Sequence, residues 1–96
     1  MSTENSGLKC SYYEVRIDNP AHQEKPYVAE CSDIMEALNL NCNETAVFKE
    51  IWRTANARLG KKKKGNSPLR AAEKIFYSAY RIYRLAGGEK HELRDL

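Results

Sequence analysis

The chain has no long apolar run. No window approaches 18 consecutive apolar residues, so no transmembrane helix is expected, and residues 1–9 are polar, without the apolar stretch of a secretory signal. A cytosolic protein is the resulting expectation, with no membrane contact. Cysteine is scarce: Cys10, Cys31 and Cys42 are an odd set that cannot all pair within the chain, and a reducing compartment would keep them as thiols. Neither these cysteines nor His22 and His91 fall into close pairs such as CxxC or HxxxH, the spacings by which one turn presents two ligands, so no metal site is expected. A Gly-rich phosphate loop is missing as well. Gly60-Lys61-Lys62-Lys63-Lys64-Gly65 has the glycine spacing, yet Asn66-Ser67 stands where Lys-Ser/Thr is needed, and no strand precedes it. Glu30, Asp33 and Glu36 are spaced to share a helix side, as a magnesium-dependent pyrophosphohydrolase requires, but no second acidic cluster follows; they read as helix-start acids. No pattern marks a nucleophile with its base. These absences lead to the expectation of no catalytic residue, no cofactor and no enzyme.

With 96 residues, 42% apolar and 30% charged, the chain has the composition of one small globular domain spanning residues 1–96. Its charge is segregated. Residues 1–52 carry four basic and nine acidic side chains, whereas residues 53–84 carry ten basic and one acidic. Such a block produces a field that accelerates encounter with anionic partners.

Residues 1–9 and 87–96 are polar and expected to be flexible. Alternation from Ser11 to Ile17 predicts a half-buried strand, Asp18-Asn19-Pro20 a turn, and Tyr27-Val28-Ala29 a second strand of a hairpin. Ser32 is the predicted N-cap of a short helix running to about Asn39. Asn41 with Glu44 predicts a capping box that starts a long helix, whose stripe of Val47, Phe48, Ile51, Trp52, Ala55 and Leu59 should face the core until Gly60 ends it. Phe48 and Trp52 are core residues on this reading. Ser67 and Pro68 predict the cap and first position of a third helix with inner residues Leu69, Ala72, Ile75, Phe76, Ala79 and Ile82, stopped by Gly87-Gly88. The expected fold is mainly α: about three helices, the two long ones antiparallel, with a short N-terminal β-hairpin or strand.

Between the long helices lies an exposed basic loop, residues 60–67. Its Lys61, Lys62, Lys63 and Lys64, with Pro68, Arg70, Lys74, Tyr77, Arg81 and Arg84 of the third helix, form the candidate partner-binding surface. Cations interleaved with an aromatic suit phosphate or a protein groove, and nucleic acid is one candidate partner, although the turn is too long and lysine-rich for a helix-turn-helix.

The runs Tyr27 to Leu38, Phe48 to Arg53 and Ala72 to Ile75 look like small bacteriophage proteins. In size, helical build and basic Ser-Pro loop, the chain resembles the second anti-RecBCD protein of lambdoid phages. That resemblance implies a protein of the host cytoplasm that binds and inhibits or modulates the host RecBCD nuclease/helicase, protecting phage DNA ends and favouring phage recombination. It carries over Pro68 and its loop, and the slow isomerisation of a Ser-Pro bond adds a host prolyl isomerase as a candidate second partner. The chain also resembles the SaV-like phage proteins, one of which is associated with nucleotide kinase activity. Their acidic "DIIEA" helix, "KxIxR" helix and lysine-bearing last helix are matched by Asp33 to Ala37, Lys49 to Arg53, and Lys74 with Arg81, while Ala71 replaces a usual acidic residue. This second resemblance implies a role in phage nucleotide metabolism.

Overall fold

The computed structural model describes residues 11–61, 65 and 67–90. A 3-10 turn, Ser11–Tyr13, leads into β1 (Glu14–Ile17), which pairs antiparallel with β2 (Tyr27–Glu30) so that Ile17 lies opposite Tyr27. Helices α1 (Cys31–Ala37), α2 (Cys42–Arg58) and α3 (Pro68–Leu85) follow. The domain is mainly helical, with α3 packed along α2 and the hairpin strands at the N-terminal end of the chain. The expected strand from Ser11 is shorter by three residues because the chain coils at Tyr12 and Tyr13, whose rings lie 4.8 Å apart.

Cap chemistry sets the helix limits, with one exception. Asn41 Oδ1 accepts from the Glu44 amide at 2.9 Å and Glu44 Oε1 accepts from the Asn41 amide at 3.0 Å, the reciprocal box expected for α2. Ser67 Oγ accepts from the Arg70 amide at 3.2 Å, and Pro68 takes the first position of α3 with a trans peptide bond. Ser32, in contrast, lies within the first turn of α1. The cap is Glu30, with no side-chain hydrogen bond, because β2 runs straight into the helix and Cys31 is already helical and buried. Each helix ends on a left-handed residue that lets two amides reach back: Asn39, Gly60 and Gly87 have φ of 53°, 94° and 108°. At the end of α2 the Lys61 amide donates to Asn56 O at 2.9 Å, and at the end of α3 the Gly88 amide donates to Tyr83 O at 2.9 Å.

α3 packs along α2 as expected, but the apolar stripes are less enclosed than their periodicity predicts. Among the described residues the buried apolar side chains are Cys31 and Ala71, and they are joined by Glu50, Arg53, Asn56 and Ser78. On α2, Ile51 and Leu59 are exposed and Val47, Phe48, Trp52 and Ala55 are half-buried; on α3, Leu69, Ala72, Phe76 and Ala79 are exposed and only Ile75 and Ile82 are partly covered. Phe48 and Trp52 touch each other at 5.8 Å between ring centroids, but neither is fully enclosed. The reason is that the polar residues of α2 recur at helical spacing too. Asn56 Nδ2 donates to the carbonyls of Tyr12 and Glu14, each at 2.9 Å, and Arg53 Nη1 donates to the Tyr13 hydroxyl at 3.2 Å, so the N-terminal segment is tied to the polar side of the helix. No described helix is long and apolar enough to cross a membrane.

Candidate functional site: a charged cleft between the long helices

The polar side of α2 and one side of α3 enclose a cleft of about 570 Å³, within the size range of small-molecule sites. From α2 come Ala46, Lys49, Glu50 and Arg53; Lys49 and Arg53 are four residues apart and therefore neighbours on one face. Facing them on α3 are Arg70, Glu73, Lys74, Tyr77 and Ser78, again set by three- and four-residue spacing.

At its centre Arg53 Nη2 donates to Glu50 Oε1, and both residues are buried, at 7% and 6% exposure. Lys74 Nζ approaches the same Glu50 oxygen at 3.7 Å from the facing helix. Glu50 Oε2 and Arg53 Nε are buried with no hydrogen-bond partner among the described residues. A buried ion pair contributes little net stability, because desolvation offsets most of its attraction, and an incompletely satisfied one contributes less. Lys49 Nζ stands 5.9 Å and Arg53 Cζ 6.0 Å from the Tyr13 ring centroid, so the aromatic face balances part of the positive charge. Four cations against two carboxylates leave the cleft positive. Lys49 and Arg70 have no carboxylate partner among the described residues. Burial pushes the Cys31 thiol above its ordinary value, and the charges of Lys49 and Arg53 pull it part of the way back.

Of the sequence-predicted partner residues, Arg70, Lys74 and Tyr77 come together in this cleft. Arg81 and Arg84 are exposed on α3 outside its lining, and Arg84 Nη1 donates to Gly88 O at 2.7 Å. Pro68 is exposed at the start of α3, and Lys61 is exposed just past the end of α2. Lys62, Lys63 and Lys64 lie outside the described residues, as do Cys10 and most of the two terminal segments expected to be flexible. Lys49, Glu50, Arg53 and Glu73 are not in the candidate surface expected from the sequence, where Lys49 and Arg53 enter only through the SaV-like resemblance. Their signal was opposite charge at matching helical spacing on both helices, hidden because charges on an amphipathic helix are ordinarily its solvent side.

No family model, curated protein or solved structure matches the chain. The cleft therefore has to be read from its own chemistry. Clustered guanidinium and ammonium groups beside an exposed tyrosine ring suit an anion that carries an aromatic base.

Proposed function

We propose that the α2–α3 cleft binds a nucleoside phosphate and that the protein acts in phage nucleotide metabolism. The observation that carries this reading is the partly satisfied Glu50–Arg53–Lys74 cluster at the floor of a net-positive cleft, with Lys49 and Arg70 beside it. Charge held out of water is costly, and a site that binds an anion gives that cost a use. Tyr77, more than half exposed at the cleft, offers a ring on which a base can stack. The residues that match the SaV-like pattern also support the reading, since Lys49, Arg53 and Lys74 all line the cleft. The test is calorimetric titration with nucleoside mono- and diphosphates, with and without magnesium. Saturable binding that weakens at least tenfold in both Lys49→Ala and Arg70→Ala supports the proposal, and no binding at millimolar ligand overturns it. Assay of turnover in the same samples decides whether binding leads to chemistry.

A second reading, docking on host RecBCD inside the infected bacterium, is favoured by the exposure of Lys61, Arg81 and Arg84 away from the cleft. Here the basic loop and the outer side of α3 meet an acidic surface. Recovery of RecBCD from nuclease-treated lysate by wild type, but not by a variant with Lys61 to Lys64 changed to Ser, supports it; equal recovery removes the loop from the contact.

A further inference from the structure

The side of α3 turned away from the cleft carries Leu69, Ala72, Phe76, Ala79, Tyr83 and Ala86, spaced three, four, three, four and three residues apart. That is the a and d spacing of a coiled-coil seam. At 100° per residue the seam lies roughly 160° around α3 from the cleft-lining residues, so it is a separate surface. It is exposed: Leu69 by 70%, Phe76 by 46% and Tyr83 by 47%, with all three alanines exposed as well. Large side chains occupy every a position and alanine every d position.

This alternation is self-complementary in one orientation. When two such helices pair antiparallel, a positions face d positions across the interface. Centring the two-fold axis on the seam midway between Phe76 and Ala79 puts Leu69 against Ala86, Phe76 against Ala79 and Tyr83 against Ala72 of the second copy. Every layer then joins one large and one small side chain, the condition for close packing without voids or clashes. A parallel pair would instead stack Phe76 on Phe76 and alanine on alanine.

Charge follows the same arrangement. No charged residue occupies an a, d or g position; the g sites Ile75 and Ile82 are apolar and partly covered. Glu73, the one acidic residue of α3, falls on the flank where Arg84 of the second copy arrives, and the two-fold axis makes that opposite-charge contact twice. The remaining cations of the helix, Arg70, Lys74 and Arg81, lie on the far side and do not confront one another. The Tyr83 ring is already placed, since it lies against Gly88, where an added methyl would collide with it.

Covering the seam would remove on the order of 500 Å² from each protomer, given that a fully buried aromatic carries about 150–250 Å². Ile75 and Ile82 flank the seam. The seam area is below the ~800 Å² per partner of a standard interface, which fits a dimer that forms at micromolar concentration.

We infer that the protein is a two-fold symmetric homodimer in which the α3 helices pair antiparallel through Leu69, Phe76 and Tyr83 against the alanines of the second copy, leaving both clefts open to solvent. The test is light scattering on the full chain at about 50 µM and on three variants. Wild type should have twice the 11.0 kDa chain mass. Ala79→Phe puts two Phe side chains into each central layer and should weaken association at least tenfold; Ala79→Glu should do so by placing charge in the seam. The swap Phe76→Ala with Ala79→Phe restores large against small and should dimerise like wild type, which separates an interface effect from failure to fold. A monomeric wild type overturns the inference, as does a dimer unaffected by Ala79→Glu or a swap that associates no better than Ala79→Phe alone.

Discussion

On the cleft side of the α2–α3 hairpin, Glu50 and Arg53 are buried; on the seam side, Leu69 and Phe76 face solvent. Each departs from the ordinary division of a small domain, in which apolar groups go inside and charges stay out. The two departures have different physical costs. A buried pair is sensitive to the loss of either partner, since the survivor keeps its desolvation penalty with nothing to offset it. An exposed apolar side chain instead forgoes about 25 cal/mol for each Å² left in water, and recovers it when a second surface covers it. Helical periodicity identifies two faces without saying which one the fold encloses. In this chain the N-terminal segment decides, because Tyr12, Tyr13 and Glu14 bond to Arg53 and Asn56 rather than covering the apolar stripe.

The largest expected effect is on the cleft side. Arg53→Ala should cost about 3 kcal/mol in urea denaturation, because it leaves buried Glu50 with only the longer 3.7 Å approach of the half-exposed Lys74. Replacing both partners, Glu50→Leu with Arg53→Met, should restore stability to within about 1 kcal/mol of wild type or exceed it while abolishing nucleotide binding. If the double variant were as unstable as Arg53→Ala, the pair would be holding the fold together rather than serving the cleft. Trp52 tests the apolar side of α2. Since it is half-buried, Trp52→Ala should cost about 2 kcal/mol, short of the 3–5 of an enclosed aromatic; a loss above that range in thermal denaturation would place it in the core.

Smaller effects sharpen the boundaries. Asn41→Ala breaks the capping box of α2 and should cost about 1 kcal/mol by the same denaturation measurement. The smallest effect concerns thiol chemistry. Cys31 is buried with its ionisation pushed upward, whereas Cys42 is exposed, so at pH 8 a thiol reagent should modify Cys42 well before Cys31. A folded-state value raised above that of the unfolded thiol means stability present at lower pH and lost as pH climbs past about 9 toward the folded value. Cys31→Ala should therefore flatten the alkaline end of the stability profile, and an unchanged profile would show that Cys31 ionisation is not linked to unfolding.

Much of the fold was legible because local chemistry specifies it. Asn41 with Glu44, Ser67 with Pro68, and the glycines at 60 and 87 each mark a helix limit by a hydrogen bond or a backbone conformation that few other residues supply. The start of α1 was misread at Ser32, since a strand feeding directly into a helix needs no side-chain cap. The site was half legible. Arg70, Lys74 and Tyr77 stood out as cations around an aromatic, but Lys49, Glu50 and Arg53 did not, because their meaning depends on which helix lies opposite. The apolar stripes were recognised as stripes and α3 does pack along α2, but the stripe residues are half-buried or exposed rather than enclosed between the helices. Nothing in a single helix distinguishes a core face from one awaiting a second copy, although the regular alternation of large residues with alanine at 69, 72, 76, 79, 83 and 86 was available to be read.

The division between the two sides of the hairpin is tested most directly by amide chemical-shift mapping of the full-length protein during titration with a nucleoside monophosphate. The expected result is saturable shifts at Lys49, Glu50, Arg53, Arg70, Lys74 and Tyr77, with Leu69, Phe76, Ala79 and Tyr83 unmoved. Shifts confined to those four seam residues, or no shift at the cleft at millimolar nucleotide, would contradict the assignment of the charged side to ligand and the apolar side to self-association.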